Sequence, residues 1–111
     1  MNPVSASTSP QATEPTARSW TFLTNHGQVL LSIANDPGIS LREIGQQVGI
    51  TERAAHRIVV ELEASGYLSR ERVGRRNHYT LEPHLPLPEP VARERQIGDL
   101  LDLLVGAAEH P

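Results

Sequence analysis

Apolar residues recur along this chain at helical spacing three times before the period changes. In "NHGQVLLSIAND" Val29, Leu30, Ile33 and Ala34 fall on one face, and Pro37 with Gly38 turns the chain, which predicts a helix over residues 25–35. In "SLREIGQQVGI" Leu41, Ile44 and Val48 make a second, shorter stripe. Ser40 and Glu43 stand in front of it with the spacing of a capping box, and Gly49 is placed to end it, so the second helix covers 41–48. Thr51 is the natural N-cap of a third helix, in which Ala55, Ile58, Val59 and Leu62 repeat at i, i+3, i+4 and i+7 until Gly66. Glu52, Arg53, His56, Arg57 and Val60 are left on its opposite side.

Beyond Gly66 the period shortens to two. "YLSRERV" alternates Tyr67, Ser69 and Glu71 against Leu68, Arg70 and Arg72, and "NHYTL" follows a glycine-centred break. Two such runs predict a β-hairpin with its tip near Gly74 to Asn77. "EPHLPLPEP" holds four prolines in nine residues and reads as an extended connector over 83–90. The helical pattern returns in "VARERQIGDLLDLLVGAAE", with Ile97, Leu100, Leu101 and Leu104 as its stripe, which predicts a C-terminal helix over 91–108. Residues 1–18 are rich in Ser, Thr, Ala and Pro and nearly devoid of large apolar groups, the composition of a disordered tail. The expected fold is mainly α with a small β-hairpin, a winged helix-turn-helix over 19–82 followed by connector and terminal helix.

Composition narrows the chemistry. A chain of 111 residues that is 38% hydrophobic has room for one modest core. It has no cysteine, which removes disulfides, thiolate nucleophiles and cysteine-bound zinc together. No apolar run approaches a membrane span and no leader-like succession opens the chain, so a soluble, cytoplasmic protein is expected. The five histidines, His26, His56, His78, His84 and His110, show no metal-ligand spacing, and no nucleophile, phosphate-loop or dinucleotide motif is present. Neither a catalytic residue, a metal nor a cofactor is expected, and the chain does not read as an enzyme.

Charge changes the picture more than composition does. The net formal charge is −3, yet residues 66–81 carry four Arg and one Glu, a local +3. Residues 83–111 carry two Arg and five acids, a local −3. Local field rather than net charge attracts phosphate, so the hairpin is the electropositive element of an acidic chain. All ten basic side chains are Arg, which a compositional bias of the source explains most simply and which also suits bidentate phosphate recognition.

The run "SLREIGQQVGITERAAHRIVVELEASGYLSRERVGRRNHYTL" resembles the DNA-binding core of MarR-type and related small winged-helix regulators. With the first helix the resemblance covers about residues 20–82. It implies that the third helix enters the major groove of duplex DNA, with Thr51, Arg53, His56 and Arg57 at the reading end. It implies as well that Arg70, Arg72, Arg75, Arg76 and Asn77 form a wing on phosphate or in the minor groove. An Arg57–Glu61 pair at i, i+4 is the competing use of Arg57. Ile97, Leu100, Leu101 and Leu104 pack either on the first helix or on the same helix of a second subunit, the latter making a homodimer matched to an inverted-repeat site. The longer members of that family carry more helical mass around the core, which argues against a small-molecule effector pocket in so short a chain. The alternative reading is a winged-helix protein–protein module that uses the acidic C-terminal helix.

Overall fold

The computed structural model describes residues 20–106 of the chain. The expected tail over 1–18 lies outside the described residues, as do positions 107 and 108 of the expected terminal helix. Three helices come first: α1 (Asn25–Asn35), α2 (Leu41–Val48) and α3 (Glu52–Ala64). A two-stranded antiparallel hairpin follows, β1 (Leu68–Val73) and β2 (Arg76–Leu81). The last helix is α4 (Ile97–Leu101), extended by a wider helical turn over Asp102–Gly106. The architecture is a winged helix-turn-helix, mainly α with a small β wing.

Local chemistry explains where each helix starts and stops. Thr24 caps α1 by accepting from the Gly27 amide at 3.2 Å. At its other end the Asp36 carboxylate accepts from the Gly38 amide at 3.1 Å and closes the turn around Pro37. The capping box of α2 is complete: the Glu43 amide donates to Ser40 Oγ at 3.1 Å and the Ser40 amide donates to Glu43 Oε1 at 3.0 Å. Helix α3 is capped by Thr51 Oγ1, which accepts from the Ala54 amide at 3.0 Å. It ends in a Schellman motif, with Tyr67 N–H on the Leu62 carbonyl and Gly66 N–H on that of Glu63.

A single core joins these elements. Val29, Leu30 and Ile33 of α1 meet Ile39, Ile44 of α2, and Ala55, Ile58, Val59 and Leu62 of α3. Leu68 and Tyr79 bring the hairpin into that cluster, and Ile97 and Leu101 bring α4. Burying side chains of this size contributes about 1.5–3 kcal/mol each, so the helices are held by packing more than by propensity. The hairpin register pairs Leu68 with Leu81, Arg70 with Tyr79 and Arg72 with Asn77 on the face toward the core. Ser69 with Thr80, Glu71 with His78 and Val73 with Arg76 form the exposed face.

The C-terminal region corrects one expectation and adds detail to another. Residues 83–90, expected as an extended connector, are anchored against 95–98. The Leu87, Ile97 and Gly98 amides donate to the Arg95, Leu85 and Pro83 carbonyls at 2.7–2.8 Å, and the Tyr67 hydroxyl donates to the Pro86 carbonyl at 2.6 Å. The helix expected over 91–108 starts only at Ile97. Before it lie one 3-10 turn (Pro90–Ala92) and two residues, Arg93 and Glu94, with φ of 56° and 69° that break any helix. The apolar stripe begins at Ile97, while Val91 is 87% exposed, so packing gives the earlier residues no reason to be helical.

Candidate nucleic-acid interface

The presentation of α3 depends on how tightly α2 turns into it. Gly45 is buried, and its carbonyl accepts from both the Gly49 and Ile50 amides at 2.8 and 2.9 Å. The chain then passes directly over Gly45, so close that a Cβ there would lie 2.7 Å from the Ile50 carbonyl oxygen. Gly49 ends α2 at φ +86°, and Thr51 begins α3 two residues later. With Ala55, Ile58, Val59 and Leu62 buried, Arg53, His56, Arg57 and Val60 stand exposed in one stripe on the far side of α3.

The polar side chains on that stripe are largely uncommitted. Arg53 and His56 have no hydrogen-bond or ion-pair partner among the described residues. Arg57 lies 3.8 Å from Glu61, as the i, i+4 spacing suggested, but its side chain is 65% exposed and such a pair holds it weakly. Glu61 is engaged more closely by His26 of α1, Nε2 to Oε1 at 2.6 Å. Thr51 is exposed as well, with its oxygen occupied by the cap and its O–H left to donate outward.

The hairpin sorts its four arginines into two kinds. Its loop is two residues, Gly74 and Arg75, with Gly74 at φ +64° and Arg75 at negative φ. Glycine in the first loop position is what a type II′ turn requires, and that turn follows the strand twist. The tip is therefore tighter than the expected Gly74–Asn77. Arg75 in the loop and Arg72 beside it are exposed and without a partner among the described residues. Arg70, by contrast, is half-buried and donates to Glu63 Oε1 at 3.0 Å, tying β1 to the end of α3. Arg76 folds back and donates to the Gly38 carbonyl at 2.9 Å. Asn77 is half-buried opposite Arg72. The five wing positions expected as one contact set thus divide into solvent-exposed, unpartnered Arg72 and Arg75, internally committed Arg70 and Arg76, and a half-buried Asn77.

Arg42, absent from the expected set, is exposed on the first turn of α2 with no partner among the described residues. A signal for it existed: a cation in the first turn opposes the helix dipole, so it is poorly explained by helix stability. In the same turn, the Glu43 carboxyl is held below the usual glutamate range by the Ser40 backbone N–H, then by the Ser40 hydroxyl. Nearby Arg76 adds to the effect and burial opposes it.

The four positions expected to mediate dimerisation also separate. Ile97 and Leu101 are 7% and 4% exposed in this chain's own core, so they are not free to meet a second subunit. Leu100 is half-buried against that core. Leu104 is 49% exposed, beside Leu103 at 79%. Trp20 and Phe22, which meet edge to face with centroids 4.8 Å apart, are also exposed. Among the described residues no three His, Asp or Glu side chains gather as metal ligands, and no helix is long and apolar enough to cross a membrane.

A sequence model of the MarR family matches residues 21–76, half of the chain. Among solved structures, the fold is similar to that of MepR, a transcription regulator of the Staphylococcus aureus multidrug efflux pump MepA. The identity is 12% and the TM-score 0.50, over 88% of this chain and 71% of that one. A Mycobacterium tuberculosis MarR family protein in complex with salicylic acid is 23% identical with a TM-score of 0.49, over 89% of this chain and 66% of that one. The PcaV transcriptional regulator of Streptomyces coelicolor is 22% identical with a TM-score of 0.48, over 88% and 73%. The chain thus spans about two thirds of the length of the solved protein from M. tuberculosis. No curated protein matches it in sequence.

Proposed function

The chain belongs to the MarR family, and we propose that it is a transcription regulator that binds duplex DNA. In this reading α3 lies in the major groove, where Arg53, His56 and Arg57 meet base edges and phosphates. The wing carries Arg72 and Arg75 to the neighbouring backbone or minor groove. The observation that carries the reading is the exposed stripe on α3, where Arg53 and His56 have no partner among the described residues, presented next to a hairpin whose Arg72 and Arg75 have none there either. The local pair on that face, Arg57 with Glu61, is long at 3.8 Å and leaves Arg57 available to a partner. Arg42 on α2 is a further phosphate contact in the same arrangement.

A second copy of the chain completes the proposed regulator. Leu103 and Leu104, with Trp20 and Phe22, remain exposed while Ile97 and Leu101 serve the chain's own core. A two-fold dimer through these residues would present two α3 helices to an inverted-repeat site.

Selection of fragments from a pool of random duplex DNA, followed by sequencing, tests the reading. Enrichment of a two-fold site is the expected result. Arg75→Ala should lower affinity for all sequences and reduce the salt slope by about one, because one phosphate contact is lost. Arg57→Ala should chiefly erode discrimination, by about 1–3 kcal/mol at the affected base pair. No retention of the wild-type protein on any duplex at low salt would overturn the reading in favour of a protein–protein module.

A further inference from the structure

We infer that Arg76 is a positioning residue, a latch that fixes the wing on the turn between α1 and α2, and not one of the wing's contacts to phosphate. Two consecutive carbonyls of that turn receive bonds from β2: Pro37 from the Tyr79 amide at 2.9 Å, and Gly38 from Arg76 Nη2 at 2.9 Å. The Tyr79 amide is free for this because Arg70 and Tyr79 form a pair whose amides point away from each other, and β2 turns that edge toward the helices. The Tyr79 side chain is itself buried in the core, so the hairpin is seated at Tyr79. From there to the loop β2 runs through His78 and Asn77 with no bond to the helical unit, among the described residues, other than that of Arg76.

An isolated two-stranded ribbon is marginal in water and twists freely, so its direction must be set by what it is tied to. On β1 the tie is Arg70 to Glu63 at 3.0 Å, opposite Tyr79 in register. Arg76 ties β2 three residues nearer the loop, adjacent to Arg75 in sequence. It is the last restraint before the tip, and a guanidinium donating to a carbonyl is suited to this because it holds a direction as well as a distance. The carboxylate of Glu43 adds attraction from the first turn of α2. Removing the latch lets the tip swing, and binding must then order it at a cost in affinity. The phosphate contacts of Arg72 and Arg75 still form once that cost is met.

This inference rests on the DNA-binding reading for its consequence, but its physical core can be tested without DNA. In Arg76→Ala, the Tyr79 amide should exchange with solvent about three- to tenfold faster than in the wild type, whereas Ile58 and Val59 amides in α3 keep their rates. In Arg75→Ala the Tyr79 amide should be unchanged. With a random-sequence duplex as probe, Arg76→Ala should bind about three- to tenfold more weakly with the same salt slope. Unchanged exchange at Tyr79 overturns the inference whatever DNA does, and so does a uniform rise across the core amides. A salt slope lowered by about one overturns it too, since Arg76 would then be a phosphate contact. If the wild type binds no duplex, the DNA-binding reading fails alone and the exchange rates still decide the latch.

Discussion

Gly45→Ala is the sharpest test of how the structure aims α3. In most helices alanine is favoured over glycine by about 1 kcal/mol, so propensity predicts a gain. The structure predicts a loss. The new Cβ would sit 2.7 Å from the Ile50 carbonyl oxygen, where ordinary contact begins near 3.4 Å, and two further backbone atoms of Thr51 and Glu52 wait at 3.4 Å. The obstructing atoms are backbone, and the turn that carries them is fixed by Gly45's own carbonyl and by the Thr51 cap. Forcing that turn outward costs about 1–3 kcal/mol, as overpacking elsewhere does. After the propensity gain, a net loss of up to about 2 kcal/mol remains. For a domain of this size that corresponds to a fall in Tm of up to roughly 8–16 °C. The assay is thermal unfolding followed by circular dichroism, with Gly27→Ala as control. Gly27 is also helical, but its Cβ would meet nothing nearer than 3.6 Å, so the same substitution should leave Tm unchanged or raise it. A Gly45→Ala protein more stable than the wild type would refute the reasoning, because the turn would then yield without cost.

Further outcomes follow from the caps. Thr51→Ala removes the acceptor of the Ala54 amide at the proposed reading end and should cost about 1 kcal/mol in denaturant unfolding, while Thr51→Ser should restore most of it. Glu43 contributes stability through a carboxyl held below its ordinary range by Ser40 and then Arg76. A depressed acid stabilises the fold fully above its unfolded range and ceases to do so as pH falls through its folded value. The difference in Tm between wild type and Glu43→Gln should therefore be present at neutral pH and close as the pH drops below the ordinary glutamate range. A difference that persisted in acid would assign it to the side chain's shape instead of its charge.

Much of the helical part was legible because its determinants are local. The periods of Val29, Ile33, Ile58 and Leu62 and the caps at Ser40, Gly49 and Thr51 place α1, α2 and α3 at the residues the structure shows. Alternation around Gly74 likewise announces a hairpin and which of its residues face inward. Such signals depend on neighbours a few positions away, and a linear chain displays them.

The use of the wing's arginines was not legible, because partners distant in sequence decide it. Arg70 and Arg72 look alike on one strand, yet only Arg70 reaches Glu63, seven residues back across the end of α3. Arg75 and Arg76 are adjacent, yet Arg76 alone finds the Gly38 carbonyl, 38 residues earlier in the chain. Ile97 and Leu104 share one helical stripe, but α4 is short and the chain widens after Leu101, so one end is buried and the other exposed. The sequence by itself determined α1, α2 and α3, the wing and the segregation of positive charge. Tertiary structure decided which arginines hold the wing and which face outward, because an ion pair or a buried contact exists only where folding brings two separate segments within reach.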